Sequence, residues 1–345
     1  MRQLTQSQSN YLIAGSSLLS TGGGGTITAA QDLMKKISRF PWLAKINTFK
    51  PNDLVITVVG VGDRDVCDPV IACNLALSNF EKQYRQKVSA IIPVEIGPLS
   101  LATALFLAGL KKLPVLDADI VGWRASPEVY LETVTLANLT REPLVIANDK
   151  GETLTINKND SIEASERIMR EFAVKSGGDA YAVGYPLLIK QIKNVVGNGS
   201  LSYSIRVGKD LDKLKNKTLS LAKFCQRNQL VKLAEGKIAT SNLKSKGGFI
   251  RGEYGIINQK GQEFRVFVKN ENIALVSDGK TLLTVPDSIL LLNRDTYLGI
   301  NNQDNNLGKS VVIFGKKAIP IWRTKNGLDL FNPRNLGYQF KQKLL

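Results

Sequence analysis

Asp53-Leu54-Val55-Ile56-Thr57-Val58-Val59-Gly60-Val61-Gly62 is a β-branched, apolar run stopped by glycines, the pattern of a strand buried on both faces and ended by a tight turn. On its amino-terminal side, residues 8 to 19 and 27 to 39 have helical spacing and flank the glycine-rich stretch Ser20-Thr21-Gly22-Gly23-Gly24-Gly25-Thr26. On its carboxyl side come Asp63-Arg64-Asp65, a helical stretch over 70 to 86, a second strand at 89 to 95, a helix at 99 to 111 and a short strand at 113 to 119. Strands alternating with helices predict β-α-β units. The first 165 residues are therefore expected to form a layered α/β domain with a parallel-type sheet.

The texture changes after residue 165. An amphipathic helix over 161 to 176 starts at a Ser161 cap and ends at Gly177-Gly178, and a second helical stretch is expected over roughly 210 to 235. Short apolar runs follow at 248 to 258, 263 to 269, 273 to 277, 288 to 293 and 310 to 315, separated by turn residues such as Asp278-Gly279. Residues 166 to 345 are thus expected to form a β-rich, barrel-like second domain with leading helices.

Composition narrows the chemistry. The chain of 345 residues contains no histidine, which removes Ser-His-Asp and Cys-His nucleophile systems and His-based metal clusters. Any general acid or base must be Asp, Glu, Lys, Cys or Tyr. Cys67, Cys73 and Cys225 match neither a zinc pattern nor a disulfide framework, and no apolar stretch is long enough to span a bilayer. A reducing, cytoplasmic setting is expected. The net charge of +16 is concentrated in residues 201 to 270, where fifteen Lys or Arg face five Asp or Glu. That stretch has few aromatics among its cations and no nucleic-acid-binding signature, so nucleic acid is not the expected partner.

Two features carry the chemistry. Four glycines running into a helix start let main-chain amides of Gly23, Gly24 and Gly25 approach an anion or oxyanion, although the same loop reads equally well as a flexible turn. The loop is neither a Walker motif nor a dinucleotide fingerprint, so no nucleotide cofactor is expected. Several acids, Asp63, Glu95, Asp117, Asp119 and Glu128, fall at or after strand ends, where ligands of α/β sheets collect. Asp117 and Asp119 are one residue apart, so in extended chain they point the same way, and such a pair is costly unless used. A single Asp in such a place is more often a cap or turn residue.

The order of motifs resembles the S-methyl-thiohydantoin desulfurases, a bacterial family linked to hydantoin metabolism, over about 330 residues. The matching elements are Thr21 to Gly25, Val59-Gly60, Glu95 with Gly97, Asp117-Ala118-Asp119, Pro127-Glu128, Asn270-Glu271-Asn272, Val285-Pro286-Asp287, Trp322-Arg323-Thr324 and Pro333 to Tyr338. Departures are Trp123 between Gly122 and Arg124, where it threatens to displace Arg124 from a substrate carboxylate, the charged Asp63-Arg64-Asp65, and Asp287-Ser288.

The resemblance implies water attack on C2 of an S-methylthiohydantoin, releasing methanethiol. Asp117 and Asp119 are the residues expected to activate water, with Glu95 or Glu128 as the acid. Thr21, Gly23, Gly24, Gly25 and Arg124 are the expected substrate-binding residues. Asp and Glu alone can hold Mg²⁺ or Mn²⁺, so the need for a divalent metal stays open. Two alternatives also remain: an accessory, ligand-binding subunit beside a hydantoinase-type protein partner, and a polyanion binder. The small cyclic substrate is the expected partner, self-association stays open, and no membrane partner is expected.

Overall fold

The computed structural model describes residues 1–62, 67–158, 161–246 and 249–345. Asp63, Arg64 and Asp65 therefore lie outside the described residues. The first part of the chain runs β1 (Arg2–Gln3), α1 (Gln6–Leu19), α2 (Ile27–Lys35), β2 (Trp42–Ala44), β3 (Leu54–Gly62), α3 (Pro69–Tyr84), β4 (Val88–Ile91), α4 (Pro98–Lys111) and β5 (Val115–Leu116). It continues through α5 (Thr133–Leu136), β6 (Leu144–Ala147), β7 (Thr153–Ile156), α6 (Ile162–Lys175), β8 (Asp179–Leu188), α7 (Ile189–Ile192), α8 (Ser200–Lys215) and α9 (Leu221–Asn228).

These strands form one mixed sheet in the order β1-β2-β5-β4-β3-β8-β6-β7, with β2, β5, β4 and β3 mutually parallel. The alternation of β3 explains the two layers. Leu54, Ile56 and Val58 enter the core shared with α1 to α4, while Val55 enters the opposite core with Met169 and Ala173 of α6. β8 lies in the middle of this sheet, antiparallel to β3 and β6, so the layered unit draws on chain beyond the boundary expected at 165.

Helix α8 also belongs here. It packs along α1 at very short range, because Gly15 lies where a Cβ would meet the Ser204 carbonyl at 1.9 Å and Gly208 where one would meet the Tyr11 carbonyl at 1.9 Å. The helical stretch expected over 210 to 235 resolves into the end of α8, then α9, then a strand. The causes are Lys217, which takes φ 59° after α8, and Gln229, which takes φ 52° after α9, each turning the chain.

The second sheet is antiparallel and curls into a half-barrel. Its strands are β9 (Val231–Ser241), β10 (Lys244–Lys246), β11 (Phe249–Ile257), β12 (Glu263–Lys269), β13 (Glu271–Ser277), β14 (Lys280–Thr284), β15 (Ser288–Asn293) and β16 (Ser310–Lys316). Their order is β14-β13-β12-β11-β9-β16-β15, with β10 beside β11. Inward residues such as Tyr254, Val266, Leu275, Ile289 and Val311 fill the interior. Trp322 and Phe331, edge to face at 5.2 Å, are fully buried and join the closing segment to Leu131 of the first unit. No helix among the described residues is long and apolar enough to cross a membrane.

Candidate functional site

The glycine loop between α1 and α2 is held by both sheets. Thr21 and Gly22 offer their carbonyls to the Asn272 and Asn302 amides at 2.8 Å, Gly24 to Leu99 N–H at 3.0 Å, and Gly25 to the Asn301 side chain at 2.7 Å. Thr21, Gly22, Gly24 and Gly25 all have positive φ, which glycine adopts without strain. Thr21 is buried, and its hydroxyl donates to the Ser20 carbonyl at 2.6 Å. The loop is a pinned element, and its glycines are needed for contact. A Cβ on Gly24 would lie 2.4 Å from Gly97 Cα, and one on Gly23 would lie 1.7 Å from Glu271 Oε1.

Glu271 opens β13 at 2% exposure. Burial pushes its carboxyl well above the ordinary carboxylate range, Glu95 adds to the rise, and Arg124 opposes it. Its Oε2 has no hydrogen-bond partner among the described residues. Glu95, just before α4, accepts from Ser100 Oγ at 2.8 Å and from Ser126 N–H at 3.0 Å. Dense surroundings raise its pKa against those two donors and Arg124. Glu95, Gly23, Gly24, Ser100 and Ser126 each keep partial exposure, whereas Glu271 and Arg124 behind them are buried.

Arg124 is 1% exposed and donates from Nε to the Ala125 carbonyl at 2.9 Å and from Nη1 to the Pro286 carbonyl at 2.6 Å. Its guanidinium lies 4.6 Å from the Phe331 ring centroid, and Nη2 has no partner among the described residues. Burial lowers its pKa to about 10, against the attraction of Glu271, Asp287 and Glu95. Glu128 pairs with Lys269, the last residue of β12, and its charge contributes to the rise at Glu271. A recess of about 570 Å³ opens beside Glu128, between α6 and Phe249.

The structure thus gathers Glu95, Glu128, Arg124 and the glycine loop, and places Asp117 and Asp119 elsewhere. Asp117 accepts from Ser202 N–H at 2.9 Å and Ser202 Oγ at 2.6 Å, in the first turn of α8. Asp119, fully buried, accepts from the main-chain amides of Val121 (3.2 Å), Gly122 (2.5 Å) and Trp123 (3.0 Å). Burial raises its pKa to about 7 against those donors. The two side chains do point the same way, toward residues 197 to 202. Both oxygens of each carboxylate are engaged by protein donors, and the turn that Asp119 ties is the one from which Arg124 projects inward.

Trp123 adopts φ 68° and stacks on Tyr203 at 4.6 Å, which lets Arg124 turn inward despite the intervening residue. Cys67 is no activated thiol, since burial pushes its pKa up to about 11. Among the described residues no group of three or more His, Cys, Asp or Glu is gathered for a metal ion.

Glu271, Lys269, Asn301 and Asn302 escaped the sequence reading as site residues. Asn270-Glu271-Asn272 looks like a solvated turn, and only the packing of Glu271 on Gly23 makes it internal.

A two-unit protein with a carboxylate pair and an arginine under a glycine loop is the class that fold and site define. A model described as "S-Me-THD-like, N-terminal domain" matches residues 7–158, and one described as "S-Me-THD-like, C-terminal domain" matches residues 159–345. The chain belongs to the S-Me-THD-like family. The crystal structure of a protein from Chromobacterium violaceum is similar in fold, with a TM-score of 0.83 over 99% of each chain at 19% sequence identity. No curated protein matches the chain.

Proposed function

We propose that the protein is a hydrolase that desulfurates S-methylthiohydantoin-type rings. Water oxygen bonds to ring C2, the C2–S bond breaks, one water proton leaves with sulfur as methanethiol and the other goes to the ring nitrogen, leaving a hydantoin. The observation that carries this reading is the pair Glu95 and Glu271 beside Arg124, in a chain with no histidine.

The pair divides the work by environment. Glu95 accepts two hydrogen bonds that favour its ionised form, so it is the base that takes the proton from water. Glu271, more strongly raised and with an oxygen free of protein donors, holds a proton and gives it to the leaving sulfur or ring nitrogen. The free Nη2 of Arg124 donates to a ring carbonyl and offsets developing negative charge. The partly exposed Gly23 and Gly24 are the approach for the ring.

The test is methanethiol release from a panel of S-methylthiohydantoins. Turnover that falls at least about 100-fold in both Glu95→Gln and Glu271→Gln, with folding retained, supports the assignment. Turnover unchanged in both variants removes this pair from the chemistry, and no release from any ring in the panel overturns the reaction itself.

A further inference from the structure

β9 outruns one of its two neighbours. β16 pairs with it from Val231 to Lys237, whereas β11 meets it only from Lys237 onward, since the chain turns away after Ile257. Val231 to Gly236 therefore have a strand on one side and none on the other among the described residues. Ile238 donates its N–H to the Lys309 carbonyl at 3.0 Å and accepts from Gly308 N–H at 2.8 Å, so its main chain faces β16. Alternation along an antiparallel strand turns Gly236 and Ala234 the same way and points the N–H and C=O of Glu235 into the gap beyond Ile257.

A recess of about 970 Å³ lies along this free edge, lined by β9, by the turn at 258 to 262 and by Arg294, Asp295 and Tyr297. Ala234 and Phe264, both part of the half-barrel core, supply an apolar floor, while Glu235 and Lys237 stand on the opposite face of β9. The charged groups of the recess are Lys232, Lys237, Lys260 and Arg294 against Glu235 and Asp295. Glu235 is already held by Lys232 at 3.1 Å and Arg294 at 2.9 Å, and Lys237 and Lys260 have no carboxylate partner among the described residues.

We propose that this recess is a β-augmentation site, where an extended acidic segment of a partner protein adds to β9 along the line that β11 leaves at Ile257. Main-chain bonds to Glu235 hold the segment, its apolar side chains turn toward Ala234 and Phe264, and its carboxylates meet Lys237 and Lys260. Charge selects this occupant over a second copy of the chain. Two such edges would bring their unpaired lysines together on chains of net charge +16, and lysines at a strand edge discourage self-pairing.

The experiment titrates the full chain against a fluorescein-labelled hexapeptide of alternating glutamate and valine and reads anisotropy. Its controls are the lysine-valine hexapeptide and a glutamate-valine hexapeptide N-methylated at every residue. Saturable binding at least about 10-fold tighter than either control, and weakening as salt rises, is the expected result. Glu235→Pro deletes the N–H that faces the gap and Glu235→Gln keeps it, while both release the same two cations. Binding should fall at least about 10-fold in the first and hold or tighten in the second, and Lys237→Gln with Lys260→Gln should weaken it about 10-fold. No binding of the glutamate-valine peptide, or equal binding of its N-methylated form, overturns the proposal. So does a concentration-dependent dimer that Glu235→Pro abolishes, which would give the edge to a second copy.

Discussion

Asp119→Ala separates a structural carboxylate from a chemical one. In the folded protein this side chain accepts from the amides of Val121, Gly122 and Trp123 in a fully buried turn. Truncation leaves the Gly122 and Trp123 amides without an acceptor, since Val121 N–H keeps the Val94 carbonyl at 3.1 Å, at about 1–3 kcal/mol each, or roughly 2–6 kcal/mol together. Set against a total stability of about 5–15 kcal/mol, that loss takes a large part of the folded margin. Asp119→Asn keeps one oxygen for the two amides and is expected to recover most of the difference. Urea denaturation of both variants, read beside turnover, decides the matter. Stability and activity should fall together in Asp119→Ala and return together in Asp119→Asn. An Asp119→Ala protein with the parent's denaturation midpoint and no turnover would refute the reasoning and make Asp119 a participant in the reaction.

Three further outcomes follow from the same geometry. Gly23→Ala places a Cβ 1.7 Å from Glu271 Oε1, so the carboxylate must move; turnover should drop at least about 10-fold, measured by methanethiol release, while the far half-barrel keeps its near-ultraviolet spectrum. Stability should fall as pH rises from about 5 to 8, because Asp119, raised by burial to about 7, holds a proton in the folded state that the unfolded chain releases. Its stabilising protonation is complete below the ordinary carboxyl range and is lost as pH climbs through about 7, an effect of at most about 4 kcal/mol, readable in melting temperature against pH. Turnover itself should decline toward alkaline pH as Glu271 gives up the proton assigned to it, and a rate that keeps rising there would contradict its role as acid.

The layered sheet was legible where local pattern and tertiary environment agree. Residues 53 to 62 read as a buried strand because both faces of β3 are apolar, and α4 was legible from its spacing and its Pro98 start. β8 was not, because Gly184 and Pro186 argue against a central strand. The sheet tolerates that proline through a register shift: Val55 pairs with Leu187 and Thr57 with Gly184, leaving Pro186 unpaired with β3. β9 was hidden by the cationic run before it, which continues a helical pattern through α9 until Gln229 turns the chain at φ 52°.

At the candidate site, Glu95 and Glu128 were singled out by their places after strand ends, the glycines by their loop, and Arg124 by the family resemblance. The Asp117-Ala118-Asp119 spacing drew attention for a real reason, since both side chains point one way, toward the start of α8 and the turn before Arg124. Glu271 was hidden because nothing in Asn270-Glu271-Asn272 says that Gly23 will lie against it. A buried carboxylate made by long-range packing leaves no local pattern.

The central claim, that Glu95 and Glu271 together carry a desulfurating hydrolysis, is tested most directly by methanethiol release from S-methylthiohydantoin with the parent chain and Glu271→Gln. The account predicts release by the parent and a loss of at least about 100-fold in a folded Glu271→Gln protein, since the amide keeps the shape and cannot give the proton. Equal release by the two proteins would contradict it.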